Sequence, residues 1–194
     1  IFSSLPFGLD LGGAKAQTWL WARAATGDQI EEGTGVSIDS VGNVYTTGFF
    51  LSNSITFGSI QLSSTNLSTG SSFIAKYDAS GNLLWAKNIG IGRSRSIVVN
   101  PSGDAYINGN FIDSTFLAKY DANGNKLWSK KSVRISFALE SSSITTDVSG
   151  NVILTGVFDS TVTFGSIKLT NSNINSYGTT PQDIFIVKYD ANGN

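Results

Sequence analysis

The sequence predicts an all-β chain assembled from repeated four-stranded antiparallel units. Three observations carry this. The stretch Phe73-Ile-Ala-Lys-Tyr-Asp-Ala-Ser-Gly-Asn-Leu-Leu-Trp-Ala-Lys87 returns at Phe116 to Lys130 and again, without its final part, at Phe185 to Asn194. Each occurrence alternates with the period of two that a strand imposes, as in Phe73, Ala75 and Tyr77 against Ile74 and Lys76. The 21 glycines, with abundant Ser, Thr and Asn, fill the gaps between short apolar runs, which is the composition of many short strands joined by turns.

The repeated stretch reads as a hairpin. Between its two alternating runs stands Asp-Ala-Ser/Asn-Gly-Asn. Glycine accepts a positive φ there, and Asp and Asn side chains bond nearby backbone N–H groups. Apolar runs on either side of a short Gly-Asn turn predict an antiparallel pair. Apolar residues occupy both faces of these strands, so the sheets are expected to be covered on both sides, as stacked slices would be.

Residues 1–34 form an N-terminal segment. Phe7, Leu9 and Leu11 alternate as in an edge strand, and Gln17 to Ala25 reads as a strand whose Trp19-Leu20-Trp21-Ala22-Arg23 aligns with the second half of the hairpin at Trp85 and Trp128. A first repeat covers 35–93: a short strand Val36 to Asp39, a turn at Asp39 to Asn43, a strand Val44 to Phe50, an inserted hairpin over Ser54 to Leu62 turning near Gly58-Ser59, then the Tyr77/Trp85 hairpin. A second, shorter repeat with a spacer covers 94–143 and lacks the insert. A third covers 144–194, with an insert Thr161 to Leu169 matching the first, and stops at its last turn. Gly48, Gly109 and Gly156 recur inside the second strand of each repeat. A strand glycine marks a bulge or close backbone approach, and crowding of inner strands near a common axis is the expected cause.

Four strands in about 40–50 residues, repeated, is the signature of a β-propeller blade. The pattern resembles the SBBP-type β-propeller repeats of bacterial cell-surface and secreted proteins. The resemblance rests on Asp-x-x-Gly-Asn-Val-Tyr-x-x-Gly at Asp39 to Gly48 and on the hairpin motif at Phe73 to Ala86, and it covers about residues 17–194. It implies a propeller, often of about seven blades, within a larger extracellular protein, and implies no catalytic residues. Three repeats are too few for an ordinary ring of about 4–8 blades. The Trp21 strand is the kind of strand missing after Asn194. The propeller is therefore expected to be incomplete, either part of a longer chain or completed by other copies through strand addition.

Composition narrows the function. The formal net charge is −1, which supplies no overall electrostatic footprint for nucleic acid, and no apolar run approaches the ~18 residues of a membrane span. Histidine, cysteine and methionine are absent, which removes thiolate and imidazole chemistry. The missing initiator methionine leads to the expectation of a removed leader or a longer parent chain. An extracellular or cell-surface location is expected from the polar, cysteine-free repeats.

Candidate sites are few. Asp121 to Asn125 and Asp190 to Asn194 space oxygens like the front of a calcium loop, but no later bidentate acid follows, so capped turns and no cofactor are expected, with calcium as the alternative. Lys76, Lys119 and Lys188 precede Tyr in every repeat and are expected to guard a strand edge or pack along the blade. The tryptophans are expected between blades. Arg93, Arg95, Lys130, Lys131 and Arg134, with Lys126, form the basic concentration, a candidate surface for acidic polysaccharide. Glu31, Glu32, Asp113, Glu140 and Asp159 are acids outside the repeated turns, but none stands in a motif, and no enzymatic activity is expected. The expected function is a non-catalytic scaffold or self-assembly module whose strand Trp19 to Arg23 complements another copy. A carbohydrate-binding or adhesive propeller is the alternative.

Overall fold

A computed structural model describes residues 20–66, 68–111, 114–134, 139–171 and 181–194. Every regular element in them is a strand: β1 (Ala25–Thr26), β2 (Glu31–Ile38), β3 (Val44–Phe50), β4 (Ser54–Phe57), β5 (Ile60–Ser63), β6 (Ser71–Tyr77), β7 (Leu83–Ile91), β8 (Arg93–Val99), β9 (Ala105–Asn110), β10 (Thr115–Tyr120), β11 (Lys126–Lys131), β12 (Val133–Arg134), β13 (Leu139–Thr146), β14 (Val152–Phe158), β15 (Thr161–Phe164), β16 (Ile167–Thr170) and β17 (Asp183–Tyr189). Three antiparallel meanders follow one another. Blade 1 has the order β2-β3-β6-β7, blade 2 β8-β9-β10-β11, and blade 3 β13-β14-β17. β8 packs on β2 and β3, and β13 packs on β8 and β9, so the blades lie face to face in chain order.

The turns hold the hairpins in register. In the Asp78 turn, Oδ1 accepts the N–H groups of Ser80 and Asn82, and Oδ2 accepts the Asn82 amide at 2.8 Å. Asp39, Asp121, Asp147 and Asp190 repeat this arrangement. Gly81 adopts φ +78°, a conformation that costs glycine nothing.

The inserts stand apart from the blades. β4 and β5 turn at Gly58-Ser59 as expected, with Phe57 opposite Ile60, but they form a separate sheet with β1, and β15 and β16 do the same with β12. Each insert packs on its own blade: the Phe57 and Phe73 rings lie 4.9 Å apart, and the Phe164 and Phe185 rings 5.0 Å.

Two expectations change. The inner strands begin earlier than expected, at Glu31, Arg93 and Leu139, because each crosses a bulge, at Gly33/Gly35, Ser94/Ser96 and Ser141/Ser143. A bulge breaks the alternation by which a strand is read. For Gly48 and Gly109 the close approach is a contact within the blade itself. A Cβ on Gly48 would lie 2.8 Å from the Phe73 ring and against the Glu32 carbonyl, and one on Gly109 would lie 2.6 Å from the Phe116 ring.

Candidate functional site

The feature that recurs through the molecule is the contact by which each blade receives the one before it. Tyr45 of blade 1 donates its hydroxyl to the Gly103 carbonyl of blade 2 at 3.2 Å, and Tyr106 of blade 2 reaches the Gly150 carbonyl of blade 3 at 3.5 Å. Trp85 on β7 packs on Gly124 of the next blade and donates Nε1 to the Ala122 carbonyl at 3.2 Å. Trp128 on β11 packs likewise on Gly193. The tryptophans are thus inter-blade wedges, each seated on a turn glycine whose Cβ, if present, would lie 3.2 Å from the ring.

Trp21 belongs to the same series. It packs on Gly81 of blade 1, stacks 6.1 Å from Tyr77, and donates Nε1 to the Ala79 carbonyl at 3.2 Å. Arg23 adds a bond from Nε to the Gly81 carbonyl at 2.7 Å. The chain beyond it keeps the register too. Thr26 pairs with Thr56, and Val133, which follows Trp128 by the same five residues, pairs with Thr163 at the matching place in the third blade's insert. The Trp21 segment therefore sits against blade 1 as β11 sits against blade 3. Only Ala25 of the expected strand Gln17 to Ala25 is in a ladder among the described residues; Leu20 to Ala24 carry none, and Leu20 and Ala22 are exposed. Trp19 lies outside the described residues, as do Phe7, Leu9 and Leu11.

The recurrent lysines pair with turn carboxylates of their own blades: Lys76 with Asp39 at 3.6 Å, Lys119 with Asp104 at 2.9 Å, and Lys188 with Asp147 at 2.7 Å. Lys76 and Lys119 also lie over the Tyr45 and Tyr106 rings, at 4.7 and 5.1 Å. Burial opposes the charge on Asp39, but bonds from Asn43 and Val41 and the charge of Lys76 outweigh it and hold the carboxyl below its usual range. For Asp147 the Lys188 hydrogen bond is the largest cause of a lowered pKa. Burial raises Tyr45 well above the usual phenol value and pushes Tyr120 up to about 12. In the turns with calcium-like spacing the carboxylates are engaged by backbone and Asn donors: Asp121 takes the N–H groups of Asn123 and Asn125.

The basic residues do not converge. Arg93 and Arg95 lie on β8, whereas Lys130 and Lys131 lie on β11, at the opposite edge of the same sheet, about 14 Å away at ordinary strand spacing. Arg93 covers the Phe49 ring at 4.6 Å, and Lys131 covers Phe111 at 5.0 Å. Lys126 starts β11, and the backbone of Arg134 is in β12. Glu31 and Glu32 line a cleft of about 380 Å³ with Trp21, Arg23, Val36 and Tyr77, a grouping that sequence spacing did not reveal. Glu31 also accepts the Ser52 hydroxyl. Glu140 is in β13, and Asp113 lies outside the described residues.

No family model matches the chain. An uncharacterized WD repeat-containing protein of Acanthamoeba polyphaga mimivirus is 30% identical over 99 residues, an alignment spanning 47% of this chain and 7% of that protein. Antiparallel meanders stacked face to face, two of four strands and one of three among the described residues, give the propeller-type architecture. The chain is a β-propeller-type repeat protein. The SBBP family itself is not shown. Among solved structures, an apocarotenoid oxygenase of Synechocystis has a TM-score of 0.45 at 11% identity, over 83% of this chain and 37% of that one. A luciferin-regenerating enzyme has a TM-score of 0.34 at 10% identity, over 78% and 59%, and a nidogen/laminin complex a TM-score of 0.34 at 11% identity, over 83% and 76%. The expectation that the chain is not an enzyme is corrected by these matches: two of the three are enzymes, so likeness at this level gives no ground for excluding catalysis.

Proposed function

We propose that this repeat module is an extracellular or cell-surface scaffold that assembles by strand complementation, its Trp21 segment completing the third blade of another copy. The observation that carries the reading is the shared register of β1 and β12, which follow Trp21 and Trp128, against the inserts of blades 1 and 3, set beside a third blade whose β17 is a sheet edge among the described residues. Blades 1 and 2 each have a fourth strand ending the sheet, β7 and β11. An extended segment that already carries its wedge tryptophan supplies what β17 lacks, and an unpaired edge accepts it by main-chain hydrogen bonds. Strand addition of this kind is heterologous and forms rings or filaments according to whether the rotation closes. The same edge accepts a further blade of a longer chain.

Hydrogen exchange tests the reading. In concentrated solution the amides of β17 that face away from β14 become protected, and a variant shortened to begin at Thr26 leaves them unprotected and sediments as a monomer. Equal exchange of β17 in both proteins at every concentration overturns it.

A further inference from the structure

Blade 3 and blade 1 carry two faces that fit one another, and we infer that a second copy docks its third blade, through Ile153 and Ile186, into the cleft behind blade 1. This rests on the assembly reading above and names the surfaces that would meet beside the added strand.

Alternate residues of the third strand of each blade point forward. In blade 1 these are Ser72, Ile74 and Lys76: Ser72 bonds the Gly92 carbonyl at 2.7 Å and Lys76 the Ala122 carbonyl at 3.3 Å, both beyond the blade's own end. Their counterparts are Thr115, Leu117 and Lys119 in blade 2, and Ile184, Ile186 and Lys188 in blade 3. Ile74 is 0% exposed and Leu117 2%, each covered by the next blade, whereas Ile186 is 68% exposed and Ile184 73%. The rear of blade 1 shows the complementary defect. Val36 is 69% exposed and Ile38 62%, whereas Ile97 and Val99, which hold the same places in blade 2, are 5% and 9% exposed against blade 1.

The cleft identifies the occupant. Five of its lining residues, Val36, Val44, Thr46, Phe73 and Tyr77, are the counterparts of Ile97, Ala105, Ile107, Phe116 and Tyr120. Those five residues form the bed of blade 2 on which Tyr45 and Ile74 pack. The positions of Tyr45 and Ile74 are taken in blade 3 by Ile153 and Ile186. Blade 3 thus presents two isoleucines at the places from which blade 1 fills the equivalent bed, and blade 1 presents that bed with its apolar wall open. The front of one copy and the back of the next are different surfaces, so the contact is directional and is not an isologous one in which a patch meets itself.

Two substitutions on exposed positions test this without entering a core: Val36→Arg in the cleft and Ile186→Arg on the forward face, each checked for an unchanged melting temperature. The wild-type chain is expected to show a sedimentation mass that rises with concentration, and each variant to associate roughly thirtyfold more weakly or less, as for a buried anchor at an interface centre. An equimolar mixture of the two is the discriminating sample. Each variant keeps the face the other has lost, so the mixture is expected to form one-to-one pairs that do not extend. If both variants associate as tightly as the wild type, the docking inference is overturned while strand addition stands. If each variant is monomeric and the mixture stays monomeric too, the front-to-back pairing is overturned. If the wild type is monomeric throughout, the inference and the assembly reading both fall.

Discussion

The Lys119 ammonium lies 2.9 Å from the Asp104 carboxylate even though the turn carrying Asp104 has its acid at the opposite end from the others. Blades 1 and 3 place aspartate first and asparagine last, Asp39 with Asn43 and Asp147 with Asn151; blade 2 has Asn100 first and Asp104 last. Asp104 donates its N–H to the Asn100 side chain at 2.9 Å, so the turn keeps its internal bond while the carboxylate stays with the lysine. The pair is only partly exposed, at 13% and 24% of the two side chains. Asp104→Asn should lower stability by about 1–2 kcal/mol, between the values for exposed and buried pairs. Adding Asn100→Asp, which restores the order of the other turns, should return most of that loss. Urea unfolding of the single and double variants measures both.

The strand glycines give a steeper contrast. Gly48→Ala and Gly109→Ala each drive a methyl group into a phenylalanine ring and a carbonyl of the bulged strand. Each should cost about 3 kcal/mol. Gly33 sits directly across from Gly48 with nothing within 4 Å of its absent Cβ. Gly33→Ala should therefore stay within roughly 0.5 kcal/mol of the wild type. A denaturant series on the three proteins separates packing from any general effect of removing glycine.

The tryptophan wedges can be divided into ring and hydrogen bond. Trp85→Phe keeps an aromatic ring near Tyr45, with which Trp85 makes an edge contact at 5.9 Å, but loses the bond to Ala122. It should cost about 1 kcal/mol. Trp85→Ala removes the wedge between two blades and should cost about 3 kcal/mol. Thermal unfolding gives the difference.

Stability should be level between about pH 5 and 8, because the chain has no histidine. Below that range it should fall. Asp39, Asp78, Asp121, Asp147 and Asp190 all have lowered pKa values in the folded chain. A depressed carboxylate contributes stability that is present above its unfolded value and lost as pH drops through the folded one. On the alkaline side the sign reverses. Burial raises Tyr45, Tyr77, Tyr120 and Tyr189, so the unfolded chain ionises first and stability falls from about pH 10 upward. Unfolding midpoints across the pH range, with the phenolate absorbance followed above pH 10, check both limbs.

Much of the architecture was readable because the sequence repeats its own instructions. Phe73, Ala75 and Tyr77 alternate cleanly, and the turn after them is spelled by Asp78, Gly81 and Asn82. The start of each inner strand was not readable, since Thr34, Arg95 and Ser142 stand at bulges that shift the period. Nor was the partner of the recurrent lysine, because Lys119 and Asp104 meet across two strands and the acid changes position between blades. The cleft behind blade 1 was invisible for another reason. It exists only where Trp21, Glu32 and Val36 are brought together by tertiary packing, and no spacing in the chain encodes that.

The inserts and the connections between blades vary together. Blade 2 has four residues between β9 and β10, no insert, and it is joined to blade 1 by Gly92 alone. Blade 3 carries the insert β15-β16, and the connection leading into it supplies β12, the strand that pairs with that insert. The piece β1 stands in the same relation to β4 and β5. The unit that keeps an insert with its clasping strand is consequently out of phase with the visible blade. A duplication or graft that respects the sheet boundary would separate an insert from the strand that clasps it, whereas one cut just after a wedge tryptophan would carry both. An engineer lengthening the array should therefore splice there.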